Sequence, residues 1–137
     1  MIDHLDHLVI TTGHLDKCID FYTRVLGMKL EEFAGGRLAL KFGEQKFNLH
    51  VKGREFEPKA TFPVPGALDF CLIAAIPLDQ VIARLGELGI PIIGSGGLWT
   101  KENADAMLSV GALAVQVDAA LWNPAFTRFD SASVEKG

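Results

Sequence analysis

An α+β fold is what this sequence predicts: a βαβββ module, then a divergent second half that reads βα and afterwards βαβ. Three observations carry that expectation. Residues 2 to 12 alternate at period two, with Leu5, His7, Val9 and Thr11 on one side and Asp6, Leu8 and Ile10 on the other, the pattern of a strand with two distinct faces. From Leu15 the period lengthens: Cys18, Phe21, Tyr22, Val25 and Leu26 make one helical stripe, with Asp16, Lys17, Asp20 and Arg24 off it. A strand followed by a helix then recurs between Leu68 and Leu88.

Taken in order, Asp16 is placed to cap the first helix, and Gly27 stands where a left-handed residue ends one. Met28 to Phe33 reads as a strand, Ala34-Gly35-Gly36-Arg37 as a turn, and Leu38 to Phe42 as the returning strand of a hairpin. After the tight turn Gly43-Glu44-Gln45, residues 46 to 51 alternate again. Phe47, Leu49 and Val51 take one face, and Asn48 and His50 the other. Residues 1–52 are therefore the first module. Gly53, Pro58, Pro63, Pro65 and Gly66 exclude regular structure from 52 to 66, and Phe56 and Phe62 give this crossover something to bury. Leu68 to Ala74 is expected to be a strand. Pro77 opens a helix carrying Leu78, Val81, Ile82, Leu85 and Leu88 on one stripe, and Gly89 stops it. Residues 67–137 form the second, divergent module of what is expected to be a single domain.

With 137 residues, 49% of them hydrophobic, the chain is long enough for one domain with a real core. The net charge of −4, without runs of Lys or Arg, favours neither nucleic acid nor an anionic membrane as partner. No apolar run approaches the roughly 20 residues of a membrane span, and the start is not that of a signal peptide. Cys18 and Cys71 read as reduced core residues, and the location expected is cytoplasmic.

Several blocks resemble the vicinal oxygen chelate superfamily, the glyoxalase/bleomycin-resistance/dioxygenase group. They are Asp6-His7-Leu8-Val9-Ile10-Thr11, Phe21-Tyr22 through Val25-Leu26-Gly27-Met28, and the run Phe42 to His50. Gly53 to Ala60, Pro63 to Gly66 and Leu68 to Ile73 continue the likeness, which is to glyoxalase domain-containing protein 5 and its bacterial relatives. The resemblance implies paired βαβββ modules curled around a divalent metal, which stabilises an enediolate or enolate by chelating adjacent substrate oxygens. It places metal ligands at His7 and His50, and Asp69 where relatives carry a histidine. Such a set suits Ni, Zn, Fe or Mn with open positions for a small-molecule substrate. Arg54 and Lys59 are candidates to meet an anionic substrate from the crossover. A homodimer is expected, because relatives build sites between modules of one or two chains.

Past Pro91 the chain departs from that pattern. The family's final strands, with a metal-binding glutamate, are absent, so metal binding is expected to be weak and activity impaired. Asp118 is the one acid available as a substitute. Residues 90–122 resemble instead the last two βα units of an FMN-binding (β/α)8 barrel of the dihydroorotate dehydrogenase kind. There a Gly-rich turn holds phosphate with backbone N–H groups. Gly94, Ser95, Gly96 and Gly97, with Gly111 and Ala112, are the positions this implies for a phosphate, although retention of FMN by the fragment alone is not expected. The alternatives to a metal-dependent enzyme or binder are thus an inactive chimeric scaffold and a phosphate- or FMN-binding fragment.

Overall fold

The computed structural model describes residues 1–117. In chain order its elements are β1 (His7–Thr12), α1 (Leu15–Asp20) continued by a π-helical turn (Phe21–Val25), β2 (Lys29–Phe33), β3 (Arg37–Phe42) and β4 (Gln45–Val51). Then come α2 (Leu78–Glu87), β5 (Ile93–Ser95), α3 (Lys101–Ser109) and β6 (Ala114–Gln116). The chain divides into two compact units, Met1–Leu72 and Ile73–Gly137.

In the first unit the β-α-β-β-β order follows the change of period in the sequence. The sheet runs β1-β4-β3-β2, with β1 parallel to β4 and the remaining pairs antiparallel. The helix starts slightly earlier than expected. His14 occupies the N-cap position without a side-chain bond, and Asp16 falls in the first turn, where its charge complements the helix dipole. Gly27 ends the helical stretch at φ 74°, and the next amide, of Met28, donates to the Tyr22 carbonyl at 2.9 Å. A side chain with a Cβ would be strained there.

One sheet face is the core. Leu40 is fully buried, and Met28, Phe47 and Leu49 pack with it against Leu8, Ile10, Cys18, Ile19 and Tyr22. Phe47 is the hub, its ring centroid 4.7 Å from Phe42 and 4.9 Å from Phe70. The ladder explains the sorting. Phe47 is level with Leu8 and Leu40, whereas Asn48 is level with Val9 and Ala39 on the opposite face. That opposite face is where the polar residues accumulate.

Two expectations are corrected. Leu68 to Ala74 forms no strand; Phe70 anchors the segment against Phe47, while Leu68, Leu72 and Ile73 are exposed. Alternating side chains suit a strand, but a strand also needs a hydrogen-bonding neighbour, which periodicity cannot supply. Cys71 lies on that segment and is exposed rather than in the core; Cys18 is half-buried, and both thiols are free. The strands β5 and β6 are not part of the four-stranded sheet. β5 and β6 pair with each other in parallel, Ile93 level with Ala114, as a separate two-stranded sheet joined through α3. Such a βαβ unit satisfies its inner backbone groups locally. Gly94 lets α3 approach β5, since a Cβ there would stand 2.5 Å from the Met107 sulfur. The helix α2 begins after Pro77 and is closed by Gly89 at φ 65°, as the sequence implied. Asp118 lies outside the described residues.

Candidate functional site

The polar face of the four-stranded sheet carries a cavity of about 300 Å³. Its floor comes from alternate residues of adjacent strands: His7 and Val9 of β1, with Lys46, Asn48 and His50 of β4. Phe33 and Arg37, paired across the β2–β3 turn, supply one side. The 52–59 segment folds over the other, bringing in Phe56 and Pro58. It turns at Gly53 (φ 79°), whose amide donates to the Glu55 carboxylate at 2.8 Å, and the Glu57–Pro58 peptide is cis.

Among the described residues, two buried polar atoms in this wall have no hydrogen-bond partner, the Asn48 side-chain oxygen and His50 Nδ1. His50 is only 7% exposed, with its ring edge-on to Phe56 at 5.9 Å. Burial pushes its pKa down, Glu55 opposes that, and Arg37 and Lys59 reinforce it, so the neutral ring is favoured. A buried polar group without a partner costs on the order of 1–3 kcal/mol. Both residues line the cavity, which makes this wall the candidate place for a ligand. His7 is more open; its Nδ1 pairs with the Asp6 carboxylate at 2.5 Å, which leaves Nε2 for another partner. That hydrogen bond also holds the Asp6 pKa below the carboxylate range, helped by nearby Lys46.

His7 and His50 therefore stand on the same sheet face and line the same cavity. They are not adjacent. His7 is level with Lys46 and His50 with Thr11, a separation of four residues along the strands, or roughly 13 Å at 3.3 Å per residue. Asn48 lies between them. Asp69 is exposed on the extended segment after the crossover and does not line the cavity. Among the described residues no three His, Cys, Asp or Glu side chains gather closely enough to hold a metal ion. Arg54 is exposed, and Lys59 pairs with Glu57 at 2.9 Å; neither lines the cavity.

The cations that do line it are Arg37 and Lys46, which reading the sequence missed. Arg37 was assigned to a turn, although it opens β3; Lys46 could have been found from the alternation that places it on the His50 face. In the second unit, Gly96 and Gly97 both have positive φ, 83° and 67°, as does Gly111 at 106°. Thr100 caps α3 by accepting from the Asn103 amide, and Asn103 accepts from the Thr100 amide in return. Ser95 ends β5, and Ala112 donates its amide to the Met107 carbonyl. No helix among the described residues is long and apolar enough to cross a membrane.

A βαβββ sheet with an apolar face under its helix and a histidine-bearing cavity on the other face defines a glyoxalase-type module. The chain belongs to the Glyoxalase/Bleomycin resistance protein/Dioxygenase superfamily, whose family model matches residues 4–93. It is 53% identical over 89 residues to glyoxalase domain-containing protein RDO1 of Mycosarcoma maydis, covering 65% of this chain and 50% of that protein. It is 44% identical over 93 residues to virulence protein STM3117 of Salmonella typhimurium, covering 68% of this chain and 65% of that one. The crystal structure of the Salmonella protein superposes with a TM-score of 0.65, over 67% of this chain and 73% of the other. An integron cassette protein from V. cholerae superposes at 0.62, with 45% identity, over 65% and 70% of the two chains. This chain thus spans half to two thirds of the length of these curated relatives. The family match ends where the barrel resemblance of residues 90–122 begins, and lends that resemblance no support.

Proposed function

We propose that this chain is a small-molecule enzyme or binder of its superfamily, working in the cavity between His7, Asn48 and His50. The observation that carries the reading is that Asn48 and His50, whose buried Oδ1 and Nδ1 lack partners among the described residues, both line one cavity. His7 and His50 stand too far apart along the strands, roughly 13 Å, to hold one ion together from these positions. A divalent metal such as Ni, Zn, Fe or Mn would therefore rest on His7 with ligand and solvent oxygens and not on a closed three-ligand centre. His7 has the carboxylate partner typical of metal-binding histidines, and His50 is buried with a free nitrogen. Asn48 adds a hard oxygen between them. When bound, the metal would polarise adjacent oxygens of a ligand as a Lewis acid. Asp6 orients the His7 ring, while Phe56 and Pro58 narrow the access of water. Asp69 would need the extended segment to move in order to join, so binding is expected to be weak and exchangeable. The free thiols suit a reducing, cytoplasmic setting.

Calorimetric titration with Ni(II) or Zn(II) tests this. A saturable response is expected that is stronger above about pH 7, where imidazole is neutral, and is largely lost in His7→Ala. His50→Ala should lower affinity by about 10–100-fold. Equal heats for wild type and both variants would make these histidines structural, and the chain a scaffold without a metal. No observation favours the phosphate reading at Gly94–Gly97. The α3 start is occupied by its own capping box, with Glu102 in the first turn, where negative charge opposes an anion.

A further inference from the structure

The charge lining the same cavity is one-sided. Among the described residues its wall holds two cations, Arg37 and Lys46, and no Asp or Glu. Arg37 is half-buried; its guanidinium carbon lies 5.1 Å from the centre of the Phe56 ring, and it donates to the Glu57 carbonyl at 3.2 Å. Lys46 is also half-buried, its ammonium 5.5 Å from the centre of the Phe33 ring. Among the described residues neither forms an ion pair with a carboxylate, although Lys46 lies near enough to Asp6 to lower its pKa. Ring stacking holds both cations in place without neutralising them. Half-buried cations left with full charge make an anion site, and a guanidinium fork matches a planar carboxylate.

The remaining lining narrows the chemistry. Val9, Phe33, Phe56 and Pro58 are apolar and can cover a small hydrocarbon or aromatic body. A volume of about 300 Å³ is at the small end of ligand pockets. We infer that the cavity selects small organic carboxylates, with Arg37 and Lys46 reading the anion. The inference rests on the proposal that this cavity is the ligand site, and it adds the specificity residues and the substrate class.

Mandelate is a suitable probe, with neutral mandelamide as its control, both at fixed ionic strength with a chelator present. The readout is the His50 imidazole resonance in NMR titration, assigned by its loss in His50→Gln. Mandelate is expected to shift it saturably and mandelamide not. Arg37→Met should weaken mandelate by about tenfold or more, the scale of one lost hydrogen bond to a charged group. Arg37→Lys, which keeps the charge and loses the fork, should fall between the two. Equal responses to acid and amide in the wild type overturn the inference, whatever the variants do. So does unchanged mandelate affinity in Arg37→Met. Metal titration of the same samples separates the two readings. Lost anion preference with an intact metal response removes this inference alone, and the reverse removes the metal alone.

Discussion

His50 shows how one residue couples stability to the site. It is buried among Phe56, Arg37 and the 52–59 segment, and burial holds its pKa below the ordinary value of 6.5. A histidine with a depressed folded-state pKa takes up its proton more readily when unfolded. Its contribution is therefore fully present above pH 6.5, is lost as pH falls through that value, and levels off below the folded-state pKa. Urea unfolding in chelator between pH 8 and 5 should show this acid loss in wild type and not in His50→Gln. Parallel profiles would place the pH dependence elsewhere. On the other sheet face, Phe47 touches Phe42, Tyr22 and Phe70 at once. Phe47→Ala should cost about 3–5 kcal/mol of unfolding free energy, because no single neighbour can fill the space left.

Among the elements, β4 matters most to the site. It lies inside its sheet, parallel to β1 and antiparallel to β3, and its alternation sends Phe47 and Leu49 into the core and Lys46, Asn48 and His50 into the cavity. A slip of one residue would exchange the two sets, so the apolar face pins the geometry of the polar one. The β5–α3–β6 unit depends on a different constraint, the close approach permitted by Gly94. Gly94→Ala should destabilise it by about 1–3 kcal/mol through overpacking. Met107→Ala in the same chain should recover part of that loss, because the clash is with the end of a flexible side chain. Thermal melts of the single and double variants measure both effects, and additive losses would mean the two residues do not press on each other.

At the scale of the whole molecule, the surfaces left uncovered among the described residues carry a prediction. β1 forms one edge of the four-stranded sheet, and Leu68, Leu72 and Ile73 are exposed on a segment without a ladder partner. Leu113 is 73% exposed beside β6. Open edges and apolar side chains of this kind are normally covered. A homodimer is the expected outcome, with light scattering at micromolar concentration as the measurement. Monomer alone at that concentration would show that these surfaces stay uncovered.

Local pattern decided much of this protein. The change from period two to helical period and back placed β1, α1, β2, β3 and β4, and it put His7 and His50 on one face, because side-chain direction follows from backbone repeat alone. Gly27, Pro77 and Gly89 marked helix ends through their own conformational limits. What tertiary structure decided were the quantities that depend on neighbours distant in sequence. The register of β1 against β4 set His7 and His50 four residues apart. The stacking of Arg37 on Phe56 brought a residue read as part of a turn into the cavity. Leu68 to Ala74 stayed outside any sheet and β5 paired with β6, because a strand exists only through a partner and alternation does not name one.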